Sequence, residues 1–340
     1  MANNMRSKKL LASSAVILAS AATLAACGSN SSQSSAKKQT LTWMNTAEMT
    51  TLDASKTTDQ ASYEQINNVE EGPYLLGKNA KVQNALATST KNSADGKTWT
   101  FTIRKDAKWS NGDPVTAKDF VYSWRRTIDP KTASEYAYLF SGIKNADAIV
   151  SGKKKPAALG IKADGKYKLT VTLEKRIPYF KLLMAFPLFF PQNQKFIEKM
   201  GSKYATASKY MIYNGPYKQV GWTGSNLSWK LVKNGKYWDK KSVKLDTVKF
   251  SVQKTPATDC NLYQSGKLDA TFLDAQATKS LKGKTGYTQR KMSTTQYLAY
   301  NLKKHPEFRN KNLRLAISMA INRKELASTL GGAATPATTF

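Results

Sequence analysis

Between Thr98 and Ile128 the sequence spells out a strand, a tight turn and a capped helix, and few architectures accommodate all three in so short a span. Thr98-Trp99-Thr100-Phe101-Thr102-Ile103 alternates with the period of a half-buried strand and puts Trp99 and Phe101 on one face, expected to be the buried one. Asn111-Gly112-Asp113-Pro114 has turn chemistry, with Gly112 and Asp113 expected to serve the turn. Thr116, followed by Asp119, predicts a cap for a helix with Phe120, Val121 and Trp124 on its apolar face. Further strands are predicted over Leu41–Met44, Leu169–Leu173, Leu227–Val232 and Val243–Val252. A helix carrying Tyr63, Ile66 and Val69 is predicted after Thr58 as N-cap. Another begins at Thr255 and stops at Gly266, and a third opens at Asn310 with Leu313, Ile317, Ala320 and Ile321 on one face. A second cap is predicted at Asn322–Glu325, and Pro178 to Pro191 reads as a Phe-rich loop with a short helix. No repeat of 20–50 residues is present and strict alternation is lacking, so α/β and α+β both fit.

The N-terminus carries a separate message. Arg6, Lys8 and Lys9 precede an uncharged apolar stretch from Leu10 to Leu24, which is short against the ~20 residues of a membrane-spanning helix. It reads as a signal peptide over residues 1–26. The Leu24-Ala25-Ala26-Cys27-Gly28 ending resembles a bacterial lipobox, which makes Cys27 the expected lipidated N-terminus after cleavage. Residues 27–39, with the polar run Asn30 to Ser35, form the expected flexible tether. The protein is therefore expected on the extracellular face of a cell membrane of Gram-positive type, held by diacylglycerol on Cys27 and assisted by a basic body.

The net charge of +30 raises the question of nucleic acid, but the lysines are spread through every segment and no nucleic-acid-binding motif accompanies them. Seven Trp, sixteen Tyr and twelve Phe, with 41% hydrophobic residues, argue for a folded core. The body holds one cysteine, Cys260, and the chain one histidine, His305, so neither an intrachain disulfide nor a metal site is expected, and no cofactor. No Gly-x-Ser-x-Gly elbow, Walker loop or dinucleotide fingerprint occurs. Glu70-Glu71 is a carboxylate pair, but adjacent residues on a helix do not face each other. An enzyme is not expected.

The run from Trp99 to Pro130 closely resembles the signature of extracellular solute-binding proteins of the dipeptide/oligopeptide/nickel class. The likeness continues in Asp129 to Tyr136, Ile177-Pro178-Tyr179-Phe180, Asn214-Gly215-Pro216-Tyr217, Tyr237-Trp238, Ser265 to Asp269 and Ala320 to Arg323. It implies a mixed α/β, two-lobed periplasmic-binding-protein-like fold, with lobe I nearly complete and lobe II mostly missing, as in a C-terminally truncated chain. By that likeness the core subdomain of lobe I would hold 40–75 and 207–285, an inserted subdomain 76–206, and the start of lobe II 286–340. It also implies a monomer that captures oligopeptides and delivers them to the permease subunits of an ABC importer. Cleft residues carried over are Thr58, Asp59 and Gln60, after Leu52-Asp53-Ala54-Ser55-Lys56; members often have Glu where Thr58 stands. Tyr136, Phe186 (a histidine in the enteric binders) and Tyr297 complete the set. The acidic group that holds a ligand's amino terminus would belong to lobe II, so this length of chain is expected to bind peptides weakly or not at all. Trp99, Trp109 and Trp124 are expected to pack rather than to touch ligand. Two other roles are compatible with the residues: presenting a peptide pheromone for signalling, and binding an anionic envelope polymer. The shortage of His and Cys disfavours a nickel or haem ligand.

Overall fold

The computed structural model describes residues 39–253, 255–290, 294–330 and 334–337. The signal peptide, Cys27 and the tether up to residue 38 lie outside the described residues. The strands are β1 (Thr40–Asn45), β2 (Tyr74–Leu76), β3 (Val82–Asn84), β4 (Ala87–Asn92), β5 (Thr98–Ile103), β6 (Ile161–Ala163), β7 (Lys168–Thr172), β8 (Tyr217–Val220), β9 (Ser228–Lys233) and β10 (Thr247–Val252). The helices are α1 (Gln60–Val69), α2 (Ala117–Ile128), α3 (Ala146–Val150), α4 (Phe180–Leu183), α5 (Gln194–Met200), α6 (Pro256–Gln264), α7 (Ala275–Leu281), α8 (Lys311–Ala320) and α9 (Arg323–Leu330). None of the described helices is long and apolar enough to cross a membrane.

One sheet has the order β1-β10-β9-β8, with β1 parallel to β10 and the other pairs antiparallel. Thr40 pairs with Thr247, so the chain makes a long excursion before it returns to the strand on which it began. Leu41, Trp43, Trp229, Leu231, Val248 and Phe250 line the inner face, and the Trp229 and Phe250 rings stack at 5.8 Å. Ala61, Ile66 and Val69 of α1 pack into the same cluster.

The excursion builds a second sheet, all antiparallel, in the order β4-β5-β7-β6. Its core joins Phe101, Ile103, Leu169 and Val171 to Phe120, Trp124 and Ile128 of α2. Trp109 and Trp124 are buried, and the Trp124 indole N–H donates to the Phe189 carbonyl at 3.0 Å, as packing residues should. The clusters interlock where Tyr74 and Ile212 pack into the second and Phe190 into the first.

Local rules account for most of these elements. β5 spans the predicted residues, but its apolar face is unequally buried: Phe101 is fully enclosed, whereas Trp99 is half-buried against Phe101 and Phe180. Thr116 backbone N–H and hydroxyl both donate to Asp119, closing the start of α2. Gly112 sits at φ +100 in the predicted turn. Asn310 caps α8, and the Glu325 N–H donates to Asn322 at 3.2 Å. Two expectations are corrected. Asp59, not Thr58, caps α1, its carboxylate accepting from Ser62 N–H at 2.7 Å. β10 starts at Thr247 rather than Val243, because Asp246 is engaged by Gln39, whose N–H donates to its carboxylate and whose carbonyl accepts its N–H at 2.9 Å.

The far end of α1 is fixed by Asn214-Gly215. Asn214 bridges the backbone N–H and C=O of Glu71 at 3.0 and 2.9 Å. A Cβ on Gly215 would stand 2.6 Å from the Val69 carbonyl carbon, so only glycine permits the approach. Glu70 and Glu71 lie beyond the last turn of α1, both buried.

Candidate peptide-binding wall

The loop that leads into α1 is held from beneath by a buried polar network. The Arg126 guanidinium, on α2, donates to both carboxylate oxygens of Asp53 at 2.9 and 2.6 Å and to Gln192 at 3.1 Å. Gln192 donates in turn to the Ser55 hydroxyl at 2.9 Å, and Ser55 and Thr127 share a 2.8 Å bond. These partners are far apart in sequence, and together they fix the path of residues 53–57 over α2. A paired buried charge whose remaining hydrogen bonds are satisfied is the form in which such groups are tolerated.

That path delivers Thr58, Asp59 and Gln60 to the surface, with Thr58 and Gln60 exposed and Asp59 half-buried. Burial works upward on the Asp59 pKa, but donors from Thr50, Ser62 and Thr57 outweigh it and hold the carboxyl below its usual range. Asp59 is therefore a fixed negative charge at neutral pH, spent mainly on capping α1.

Tyr63, one turn into α1, faces two rings from other parts of the chain. Its ring centroid is 4.9 Å from that of Phe186 and 6.3 Å from that of Tyr136, the latter nearly parallel at 4°. Tyr136 and Phe186 are 6.4 Å apart. The Tyr63 hydroxyl donates to the Thr57 carbonyl at 2.7 Å, and the Tyr136 hydroxyl reaches the Thr58 carbonyl at 3.5 Å. Burial, then the nearby Tyr136, Asp59 and Tyr138, raise the Tyr63 pKa and keep it a neutral phenol.

Of the residues proposed from sequence, Tyr136 and Phe186 thus meet in one ring contact, with Thr58 and Asp59 beside it and Gln60 next in the chain. Tyr297 lies on the irregular stretch after residue 293, 66% exposed, and takes no part in the three-ring contact. Cys27 lies outside the described residues. Sequence reasoning missed Tyr63, which it used only for helix periodicity; its place three residues after Gln60 is the signal that puts it on the same side of the helix. The surface presents ring faces beside a loop with polar side chains and backbone. His305, the one histidine, contacts Glu307 at 3.2 Å. No cluster of three or more His, Cys, Asp or Glu able to hold a metal occurs among the described residues.

Comparison with known proteins decides the family. The profile described as bacterial extracellular solute-binding proteins, family 5 middle, matches residues 81–340. This chain belongs to the family 5 solute-binding proteins. Among family relatives, the dipeptide-binding protein of Lactococcus lactis is 41% identical over 305 residues, which is 86% of this chain and 56% of that protein. The structure of Listeria monocytogenes OppA bound to peptide is 41% identical, with a TM-score of 0.77 over 86% of this chain and 58% of that one. The pheromone receptor PrgZ, solved for its mode of peptide binding, is 37% identical with a TM-score of 0.82, over 86% of this chain and 59% of that one. The family 5 chain described here spans little more than half the length of these relatives.

Proposed function

We propose that this chain is the peptide-receiving part of a lipid-anchored solute-binding protein that captures oligopeptides outside the cell and hands them to an ABC importer. The observation that carries the reading is the wall of Tyr63, Tyr136 and Phe186 beside the Thr58–Gln60 loop, in a fold that superposes on a peptide-bound relative. An extended peptide offers backbone donors and acceptors at fixed spacing, which exposed loop and strand groups can pair regardless of side chain. Hinge closure of a second lobe would bury such a ligand. In this reading residues 40–75 and 207–285 form the core of lobe I, 76–206 an inserted subdomain, and the segment from 286 opens lobe II.

Saturation-transfer NMR of the chain with tri- to pentapeptides tests this, because it reads contact even at low affinity. Saturation of peptide protons that a competing peptide displaces is the expected result, diminished in Tyr136→Ala. Peptides that receive no saturation at millimolar concentration would sink the proposal.

The membrane half of the proposal rests on Cys27 at the end of its lipobox. Cells expressing the chain should incorporate a palmitate analogue, and Cys27→Ala should abolish the label; equal labelling of the two would rule the anchor out. The likeness to PrgZ favours a second role, presentation of a peptide pheromone. A peptide library separates the two, since import predicts broad binding and signalling one preferred sequence.

A further inference from the structure

The ring wall does not end at the residues carried over from the family resemblance. Tyr138 follows Tyr136 by two positions on the 3-10 turn Ala137–Phe140, and its ring meets that of Tyr136 edge-on, centroids 6.0 Å apart at 84°. It is 61% exposed, whereas Tyr63, Tyr136 and Phe186 are half-buried. Phe186, Tyr63, Tyr136 and Tyr138 therefore form one continuous row, each ring in contact with the next, running from the half-buried base to an open outer end.

The polar handles of the inner rings face the loop. The Tyr63 hydroxyl donates to the Thr57 carbonyl at 2.7 Å, and that of Tyr136 lies 3.5 Å from the Thr58 carbonyl, so both phenols are turned toward the loop. Phe186 has no hydroxyl to offer. What they present to a ligand is chiefly π-face and ring edge, beside a loop whose base the Asp53–Arg126 pair holds in place. Aromatic surface of this kind favours flat partners, which gain from offset or edge-to-face contact beyond the area they bury. An aliphatic side chain of similar size gains only the burial.

We propose that Tyr63, Tyr136, Tyr138 and Phe186 form a side-chain subsite for an aromatic residue of the bound peptide, with Tyr138 its specificity-determining outer member. This rests on the peptide-binding reading above and adds the ligand class. A ring of the peptide lies along the row between Tyr136 and Tyr138, while the peptide backbone runs past Thr58 and Gln60. Nothing in this requires a particular peptide length.

The test compares Ala-Phe-Ala with Ala-Leu-Ala on the whole chain, by ligand-observed NMR titration, in wild type, Tyr138→Ala and Tyr138→Phe. Tyr138 is exposed, and circular dichroism checks that each variant is folded. Wild type should favour the phenylalanine peptide by roughly 3–10-fold, the range expected of one aromatic contact. That ratio should fall toward one in Tyr138→Ala and persist in Tyr138→Phe, which keeps the ring and drops the hydroxyl. If both peptides bind wild type equally, or the preference survives Tyr138→Ala, the aromatic subsite is overturned and the peptide-binding reading stands. If neither peptide binds, both fall together.

Discussion

Arg126 reaches from α2 to a buried carboxylate, and the geometry is two-pronged. Removing one member of such a pair leaves an uncompensated charge, which costs roughly 3–5 kcal/mol. Arg126→Met should therefore lower urea stability by about that amount, and Asp53→Asn in the same chain should restore part of it; a loss under about 1 kcal/mol would show the pair to be dispensable. Glu71 presents the opposite case. Burial lifts its pKa from 4.5 to about 7, opposed by donors from the Trp238 indole at 2.7 Å and the Tyr237 hydroxyl at 2.8 Å and by the nearby Arg104. The folded state thus binds the Glu71 proton more tightly than the unfolded chain. The stability this group contributes is present below pH 4.5 and is lost as pH rises through about 7. Glu71→Gln stays uncharged, so relative to wild type the variant should gain on the order of 2–3 kcal/mol between pH 4 and pH 8. Chemical denaturation at a series of pH values reads this directly, and parallel curves would refute it. Neither residue's role was legible in sequence: Glu71 looked like half of an idle carboxylate pair, because its partners lie more than 140 residues away.

At the scale of elements, pattern and outcome agree where one face of a strand or helix meets the core. Thr98–Ile103 declared itself because period 2 coincides with burial at Phe101 and Ile103. Phe101→Ala should cost roughly 3–5 kcal/mol. Trp99→Ala should cost clearly less despite the larger ring, since that side chain keeps part of its surface in water. Thermal denaturation of the two variants gives the order, and equal losses would mean that Trp99 is fully enclosed. The start of α1 was misread by one residue because Thr58 and Asp59 are both good caps. Tertiary partners decide between them: Thr50 and Thr57 donate to Asp59 and seat it at the helix end. Asp59→Ala should accordingly cost about 1 kcal/mol and Thr58→Ala less than about 0.5 kcal/mol. The ring wall was half legible for the same reason. The likeness to the family supplied Tyr136 and Phe186, whereas Tyr63 and Tyr138 become partners only once three separate segments have folded together.

Across the whole molecule, burial is uneven. Both four-stranded sheets carry cores of fully enclosed side chains, and Phe101, Trp109 and Trp124 in the second are among the largest of these. The region after residue 293 differs. Helices α8 and α9 contain no buried residue, and Leu315, Met319, Leu326 and Leu330 are 48%, 84%, 50% and 54% exposed. The apolar spacing that predicted α8 from Leu313 and Ile317 is real, and α8 forms where expected, yet that face meets no core among the described residues. Helices of ten and eight residues are below the length at which an isolated helix holds in water, about 12–15 residues. Among the described residues, their support comes from capping by Asn310 and Asn322, from Arg314 donating to the Phe308 and Arg309 carbonyls and from Arg323 donating to Ser318. Amide exchange offers a direct reading, because protection follows local opening free energy. In the 340-residue chain, amides of β5 and β9 should exchange only through global unfolding, and those of Lys311–Leu330 should exchange orders of magnitude faster, close to the rate of an unstructured peptide. Protection of α8 equal to that of β9 would mean that its apolar face is covered in solution, and repeating the measurement at tenfold lower protein concentration would tell whether a second copy supplies the cover.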